Sequence, residues 1–155
     1  MDWAAPISAV IGGSIAVGAT LVADRVRWRR EGSERERERR RVLYADFLGA
    51  VNQAREQLWY ASRWEPRSGE ERVRLAQSAL RDHDVYPKRF QLALSSSSAV
   101  DERCQAVLDV LIAYRDAVVG GANHDDQAAE DQRLAFQQER RQLIAAMRED
   151  VDGTR

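Results

Sequence analysis

One uncharged stretch near the start of the chain limits its fold more than any other feature. Residues 4–23 contain no Asp, Glu, Lys or Arg. A helix of that length spans roughly 30 Å, the thickness of a bilayer's hydrocarbon core. Trp3 and Trp28 lie near the two ends, where aromatic rings favour the membrane interface. The sequence therefore predicts one transmembrane helix with Trp3 and Trp28 as interface anchors.

Basic residues follow this stretch directly, whereas only Asp2 is charged on its other side. Positive charge stays on the cytoplasmic side of a membrane, and anionic lipid headgroups attract it. We therefore predict a single-pass protein of the inner (plasma) membrane, with the N-terminus outside and the C-terminal domain in the cytoplasm. The predicted headgroup contacts are Arg25, Arg27, Arg29 and Arg30.

A cleaved signal peptide is the main alternative to a retained anchor. Signal peptides carry positive charge before the apolar core, whereas here the positive charge comes after it. A buried core helix is a second alternative, against which the length of the uncharged stretch argues. The order of the charges favours the anchor.

Small side chains share one side of the predicted span, and large apolar side chains share the other. A face of small residues lets two helix backbones approach closely, so we predict a homo-oligomer or a membrane partner through this helix. An alanine-rich composition would produce the same face by chance. The predicted packing face consists of Ala5, Ser8, Ala9, Gly12, Gly13, Ala16 and Ala19.

Charge also divides the chain into segments. Residues 24–41 hold nine arginines and five acids, whereas residues 42–155 hold fifteen basic and nineteen acidic residues. We predict an anchor with a basic juxtamembrane end over residues 1–31 and a charged helical stalk over 32–41. A cytoplasmic bundle then covers 42–151, and a disordered tail covers 152–155. The bundle has no basic stripe, which argues against nucleic acid as a partner.

Apolar residues recur at helical spacing through the rest of the chain. They predict helices from about residue 33 to 64, 70 to 94, 98 to 119 and 127 to 150. No segment alternates with the period of a strand. The predicted fold class is all-α: an N-terminal transmembrane helix followed by an antiparallel four-helix bundle.

The helix predicted over residues 70–94 contains Pro87, and its apolar stripe keeps the same phase on both sides of that proline. This favours one kinked helix, although proline geometry leaves a break open. Whether the preceding helix continues through Gly32 is also left open. The stripe predicted to be buried consists of Leu75, Ala76, Ala79, Leu80, His83, Tyr86, Phe90 and Leu94.

No group of side chains in the sequence predicts catalysis. His83 lies between two aspartates, but no second histidine follows at helical spacing, which favours a hydrogen-bonded core histidine over a metal ligand. The acids after His124 suit the start of the next helix better than a metal. Cys104 shares an apolar face and is interpreted as a core residue. We predict no enzyme activity, no metal and no cofactor.

Two stretches resemble a known group of proteins. They are Leu21-Val-Ala-Asp-Arg-Val-Arg-Trp-Arg-Arg30 and Arg40-Arg-Val-Leu-Tyr-Ala-Asp-Phe-Leu48. Both are similar to segments of a loose group of actinobacterial single-pass membrane proteins. The likeness extends to the Leu92-to-Val100 turn and the Arg-rich last helix. It implies a bacterial protein with a small cytoplasmic helical domain behind an anchor, and it carries no catalytic residues.

The predicted function is a membrane-anchored helical scaffold or adaptor that presents a binding surface to an unknown cytoplasmic protein. Trp59 and Trp64 are the candidates for that surface, because aromatic residues often anchor interfaces. The alternative is that both pack within the bundle. A small membrane-acting effector, pore-forming or lysis-linked, is the second hypothesis. An enzyme that uses His83 is the third.

Overall fold

The computed structural model describes residues 34–63 and 68–153. Helix α1 covers residues 34–62. It is followed by α2 (Gly69–Asp82), α3 (Val85–Ala93), α4 (Ser98–Val119) and α5 (Gln127–Asp152). No strand occurs in the two described ranges, which confirms the all-α class. The chain divides into two compact units, Met1–Glu38 and Arg39–Arg155, and the helical bundle belongs to the second.

Contacts between side chains fix the directions of the helices. Tyr44, near the start of α1, contacts Asp150 at the end of α5, so these two helices are antiparallel. Ser62, at the end of α1, lies beside Tyr114 in the last turns of α4, so α1 and α4 are parallel. Short connections make the successive long helices antiparallel. This arrangement confirms the predicted helical bundle.

The predicted apolar faces of α1, α4 and α5 form one core. Each fully buried Val, Leu, Phe or Met side chain in this core stabilises the fold by roughly 1.5–3 kcal/mol. Tyr114 joins them, although the pattern did not single it out. The buried residues that were predicted on α4 are Val100, Cys104, Val107, Leu108, Leu111 and Val118. Those predicted on α1 are Phe47, Ala50, Ala54, Leu58 and Ala61, with Tyr44 and Val51 beside them.

The kinked helix that the pattern favoured over residues 70–94 does not form, and the break that the sequence left open occurs before Pro87. Helix α2 ends at Asp82, and Asp84 adopts a left-handed conformation with φ of 55°. Pro87 then occupies the first turn of α3, where a missing N–H costs no helical hydrogen bond. The break therefore places Pro87 at a position where the helix needs no N–H from it.

This break reverses the prediction for the second half of the stripe. In an unbroken helix, Val85 and Leu92 would lie about 120–140° away from Leu80. In the structure both are fully buried, whereas the predicted core residues of α3 face outward. The predicted stripe is therefore correct up to Leu80 and wrong for Tyr86, Phe90 and Leu94, which are all exposed.

Asp84 offers a direct test of the break. A β-branched residue is strained in the left-handed region, whereas Asn adopts that region readily. Asp84→Val is therefore expected to lower the free energy of unfolding by about 1–2 kcal/mol, and Asp84→Asn to change it by less than about 0.5 kcal/mol. Chemical denaturation measures both. Equal stability of the two variants would mean that residue 84 is helical.

Candidate partner-binding surface

The membrane-related residues that the sequence singled out lie outside the described residues. This holds for the small-residue packing face, the four arginines after the span, both interface anchors and Trp64. Among the helices that are described, none combines the length and apolarity needed to cross a membrane. The anchor, its orientation and its oligomerisation stay predictions.

His83 forms part of a polar network that joins α1 to α2. Its Nε2 lies 2.8 Å from Oε1 of Gln57. The amide nitrogen of Gln57 donates to the carbonyl of Leu75 at 2.9 Å and to the hydroxyl of Ser78 at 3.0 Å. His83 is only half-buried, so it is hydrogen-bonded as predicted but lies at the edge of the core. The network fixes the register of α1 against α2.

The loop before α5 is organised by hydrogen bonds to its own backbone. Asp126 is the N-cap residue, but its carboxylate accepts from the backbone N–H of Asn123 at 2.7 Å and makes no side-chain cap bond to α5. Gly121, with φ of 106°, makes the turn that ends α4. Within the described residues, no group of His, Cys, Asp and Glu side chains is arranged to hold a metal ion.

Cys104 lies in the core, as predicted. Its side chain is fully buried, and burial raises the pKa of the thiol to about 12. The thiolate is the nucleophilic form of cysteine, and this environment disfavours it. Cys104 therefore acts as a small apolar residue beneath α3.

Trp59 does not provide the exposed anchor that the sequence allowed. It is half-buried, and the guanidinium carbon of Arg63 lies 4.7 Å from the centre of its ring. The structure thus favours the alternative in which this tryptophan packs against the bundle.

The exposed apolar surface lies instead on α3. Tyr86, Phe90 and Leu94 are 45%, 67% and 75% exposed. Their spacing of four residues places them on one side of the helix. We call these three residues the α3 ridge. The other large exposed apolar residues of the described chain are Val42, Tyr60 and Leu134, on α1 and α5. An exposed apolar group of this kind is typical of a binding surface.

The opposite side of α3 is held firmly. Val85 and Leu92 are fully buried against the core, and Arg89 donates to the carboxylate of Asp101 on α4 at 2.6 Å. The side chain of Arg89 is only 15% exposed, so this ion pair is partly shielded from water. The hydroxyl groups of Ser95 and Ser96 donate to the backbone carbonyls of Gln91 and Leu92, and these bonds cap the end of α3. The opposite side of α3 therefore holds the α3 ridge in a fixed position on the surface of the bundle.

Asp150 joins α5 to α1 at one end of the bundle. It accepts hydrogen bonds from Tyr44 at 2.5 Å and from Arg40 at 3.1 Å. Burial alone would raise the pKa of Asp150, but hydrogen bonds from Tyr44 and Ser97, with the charge of Arg40, hold it below its usual value. Burial, and then the bond to Asp150, raise the pKa of the Tyr44 phenol. Arg40, which was predicted in the stalk, thus contacts the bundle.

The lowered pKa of Asp150 predicts a pH dependence of stability. Its ionised form stabilises the fold above the unfolded-state pKa of about 3.9, and this contribution disappears as the pH falls further through the folded-state pKa. Asp150→Asn is expected to lower the free energy of unfolding at pH 7 by about 1–3 kcal/mol. It should also flatten the loss of stability below about pH 4.

Asp152 is the matched control, because it lies on the same helix and is exposed. Denaturation curves of Asp150→Asn and Asp152→Asn across this pH range make the comparison. An unchanged acid limb in Asp150→Asn would show that this carboxylate does not stabilise the bundle.

No protein-family model matches the chain, and neither the curated proteins nor the solved structures include a significant match.

Proposed function

We propose that this protein is a membrane-anchored helical adaptor, and that the α3 ridge is the surface to which a cytoplasmic protein binds. The observation that carries the proposal is the exposure of Tyr86, Phe90 and Leu94 on one side of a short helix. Removal of these apolar side chains from water is favourable, so a partner that covers them gains binding free energy. Their spacing suits a partner with an apolar groove or helix.

The rigidity of α3 supports this assignment. A surface that is already ordered loses little conformational entropy when it binds. Two buried side chains and the Arg89–Asp101 ion pair hold α3 in place before any partner arrives. Aromatic and large apolar side chains that are held in this way are typical of binding hot spots.

The predicted anchor explains how a small surface can suffice. The three ridge side chains offer on the order of 350 Å² of exposed area, less than half of the roughly 800 Å² that one partner buries in a standard interface. Confinement of both proteins to one membrane raises their effective concentration and compensates for weak contacts. In this proposal the N-terminal span supplies location, and the α3 ridge supplies recognition.

Photo-crosslinking from the α3 ridge tests the proposal. A photoreactive phenylalanine is placed at position 90 of the full-length chain in its host cell, and at position 134 as a control that is also exposed and apolar. We expect one defined crosslinked protein from position 90 and not from position 134. Equal products from both positions, or no product from position 90, would contradict the proposal.

The same cells distinguish the second hypothesis. A pore-forming or lysis-linked effector would make the membrane permeable to dye or arrest growth when it is expressed. We expect an intact membrane and normal growth. Dye leakage without a specific crosslink from position 90 would favour the effector, for which the small-residue face of the predicted span is the motivating observation.

A further inference from the structure

A groove of about 360 Å³ lies between the start of α1 and the end of α5, and the α3 ridge does not take part in it. We call it the α1–α5 groove. Leu48 and Ile144 line it with half-buried side chains, and Ala45 lines it with a small, exposed one. Met147 is almost fully buried at its floor, and the flexible side chain of a methionine adapts to what lies above it. The α1–α5 groove therefore presents apolar surface that a slender apolar chain can reach.

The rim of the α1–α5 groove is positively charged. Arg41 of α1 and Arg148 of α5 line it, and both residues are exposed. Arg148 forms no ion pair with any residue that the structure describes. Asp152 is the acid in the lining, so two cations and one anion give the rim a net charge of +1. An anionic group is therefore attracted to this rim.

A second groove, on another side of α5, has the opposite charge. Arg40, Glu149 and Asp150 line it, so one cation and two anions give it a net charge of −1. Arg40 already donates to Asp150 at 3.1 Å. The apolar side chains in its lining are the small ones of Ala99 and Ala146. Of these two grooves, the α1–α5 groove alone combines positive charge with large apolar side chains.

We propose that the α1–α5 groove binds one anionic phospholipid of the membrane. The phosphate pairs with Arg41 and Arg148, because guanidinium groups bind phosphate oxygens through paired hydrogen bonds. One acyl chain lies over Leu48 and Ile144, where its methylene groups leave water. An acidic peptide matches the charge but carries no long apolar chain. A zwitterionic lipid matches the apolar surface but carries no net charge.

The predicted anchor brings the lipid within reach of the α1–α5 groove. Arg41 follows residue 31, where the predicted anchor segment ends, by ten residues. Ten residues extend over at most about 36 Å. A groove that is tethered this closely to a bilayer meets lipid at a high effective concentration. The inference thus rests on the anchor of the proposed function, but it does not depend on the α3 ridge.

Photolabelling of the full-length chain in phosphatidylcholine nanodiscs tests this proposal. Phosphatidylglycerol with a diazirine in its acyl chain is the anionic probe, and phosphatidylcholine with the same chain is the neutral probe. Trypsin cuts after arginine, so it releases residues 42–55 and 142–148 from the two walls of the groove, and residues 104–115 as a control from α4. We expect the anionic probe to label both groove peptides at least about fivefold more than the neutral probe does. Neither probe should label residues 104–115.

Two variants assign the contacts. Arg148→Gln is expected to lower the anionic label on residues 42–55 by about fivefold or more, whereas Arg141→Gln, at an exposed position on the same helix, should not change it. Ala45→Trp places a bulky ring in the groove from an exposed position, so it should remove the label from residues 142–148. Ala128→Trp, at another exposed alanine, should leave that label unchanged.

The outcomes separate this inference from the anchor. Trypsin also releases residues 1–25, and label there from both probes reports the predicted span. Label on residues 1–25 without label on the groove peptides would overturn the lipid site alone. Equal labelling of the groove peptides by the two probes, or equal loss in Arg148→Gln and Arg141→Gln, would overturn it as well. Selective anionic label on the groove peptides without label on residues 1–25 would support the lipid site and contradict the anchor, and absence of label from all these peptides would contradict both.

Discussion

Leu92→Ala is expected to lower the free energy of unfolding by about 2–5 kcal/mol, whereas Leu94→Ala is expected to change it by less than about 0.5 kcal/mol. The two leucines are two residues apart, but Leu92 is fully buried and Leu94 is 75% exposed. Truncation of the first leaves a cavity under α3, and truncation of the second removes only atoms that contact water. Chemical denaturation followed by circular dichroism measures both changes.

This pair of variants also decides between the two descriptions of residues 70–94. A kinked helix with a continuous stripe would bury Leu94 and expose Leu92, so the larger loss would then appear in Leu94→Ala. Leu80→Ala serves as the internal standard, because Leu80 is buried in either description. A larger loss in Leu94→Ala than in Leu92→Ala would contradict the break at Asp84.

The second large effect concerns recognition. Phe90→Asp combined with Leu94→Asp is expected to weaken partner binding by on the order of a hundredfold or more, because each hot-spot side chain contributes about 2 kcal/mol. Stability should be nearly unchanged, since both side chains are exposed. Val42→Asp combined with Leu134→Asp is the matched control, because it places the same two charges on exposed apolar positions of α1 and α5.

Yield of the crosslinked product from a photoreactive group at position 86 measures this effect in the full-length chain. The control pair should leave the yield unchanged, and the ridge pair should abolish it. An equal yield from both pairs would show that the α3 ridge does not bind the partner. A loss of helix content in the ridge pair alone would show instead that these side chains support the fold.

The sequence was sufficient to predict the three long faces of the core. Positions such as Phe47 on α1, Leu111 on α4 and Leu143 on α5 recur at helical spacing within uninterrupted helices, so their phase follows from one another. Burial then follows, because each helix has only one apolar side to place against its neighbours. Tyr114 also faces the core, but the sequence pattern did not select it because its side chain carries a polar hydroxyl. In the structure that hydroxyl lies 3.4 Å from the hydroxyl of Ser62.

The sequence could not predict which side of α3 faces the core, because the backbone conformation of one residue changes the direction of the chain before this helix. The left-handed conformation of Asp84 rotates everything after it, and Asp adopts that region too seldom to be recognised from sequence. The apolar stripe of residues 80–94 is real, but the break divides it between the core and the surface. The basic residues of α3 do not reveal its exposed side either. Arg89 forms an ion pair with Asp101 of α4, so its position does not mark the side that faces water.

Extraction of membranes with alkaline carbonate tests whether residues 4–23 anchor the protein in the membrane. The full-length chain is compared with a chain that lacks residues 1–31, which should keep its helix content because the core lies within the unit that begins at Arg39. We expect the full-length chain to stay in the membrane pellet with its N-terminus intact, and the shortened chain to be recovered in the supernatant. Release of the full-length chain by carbonate, or its trimming close to residue 30, would show that the protein has no retained membrane anchor.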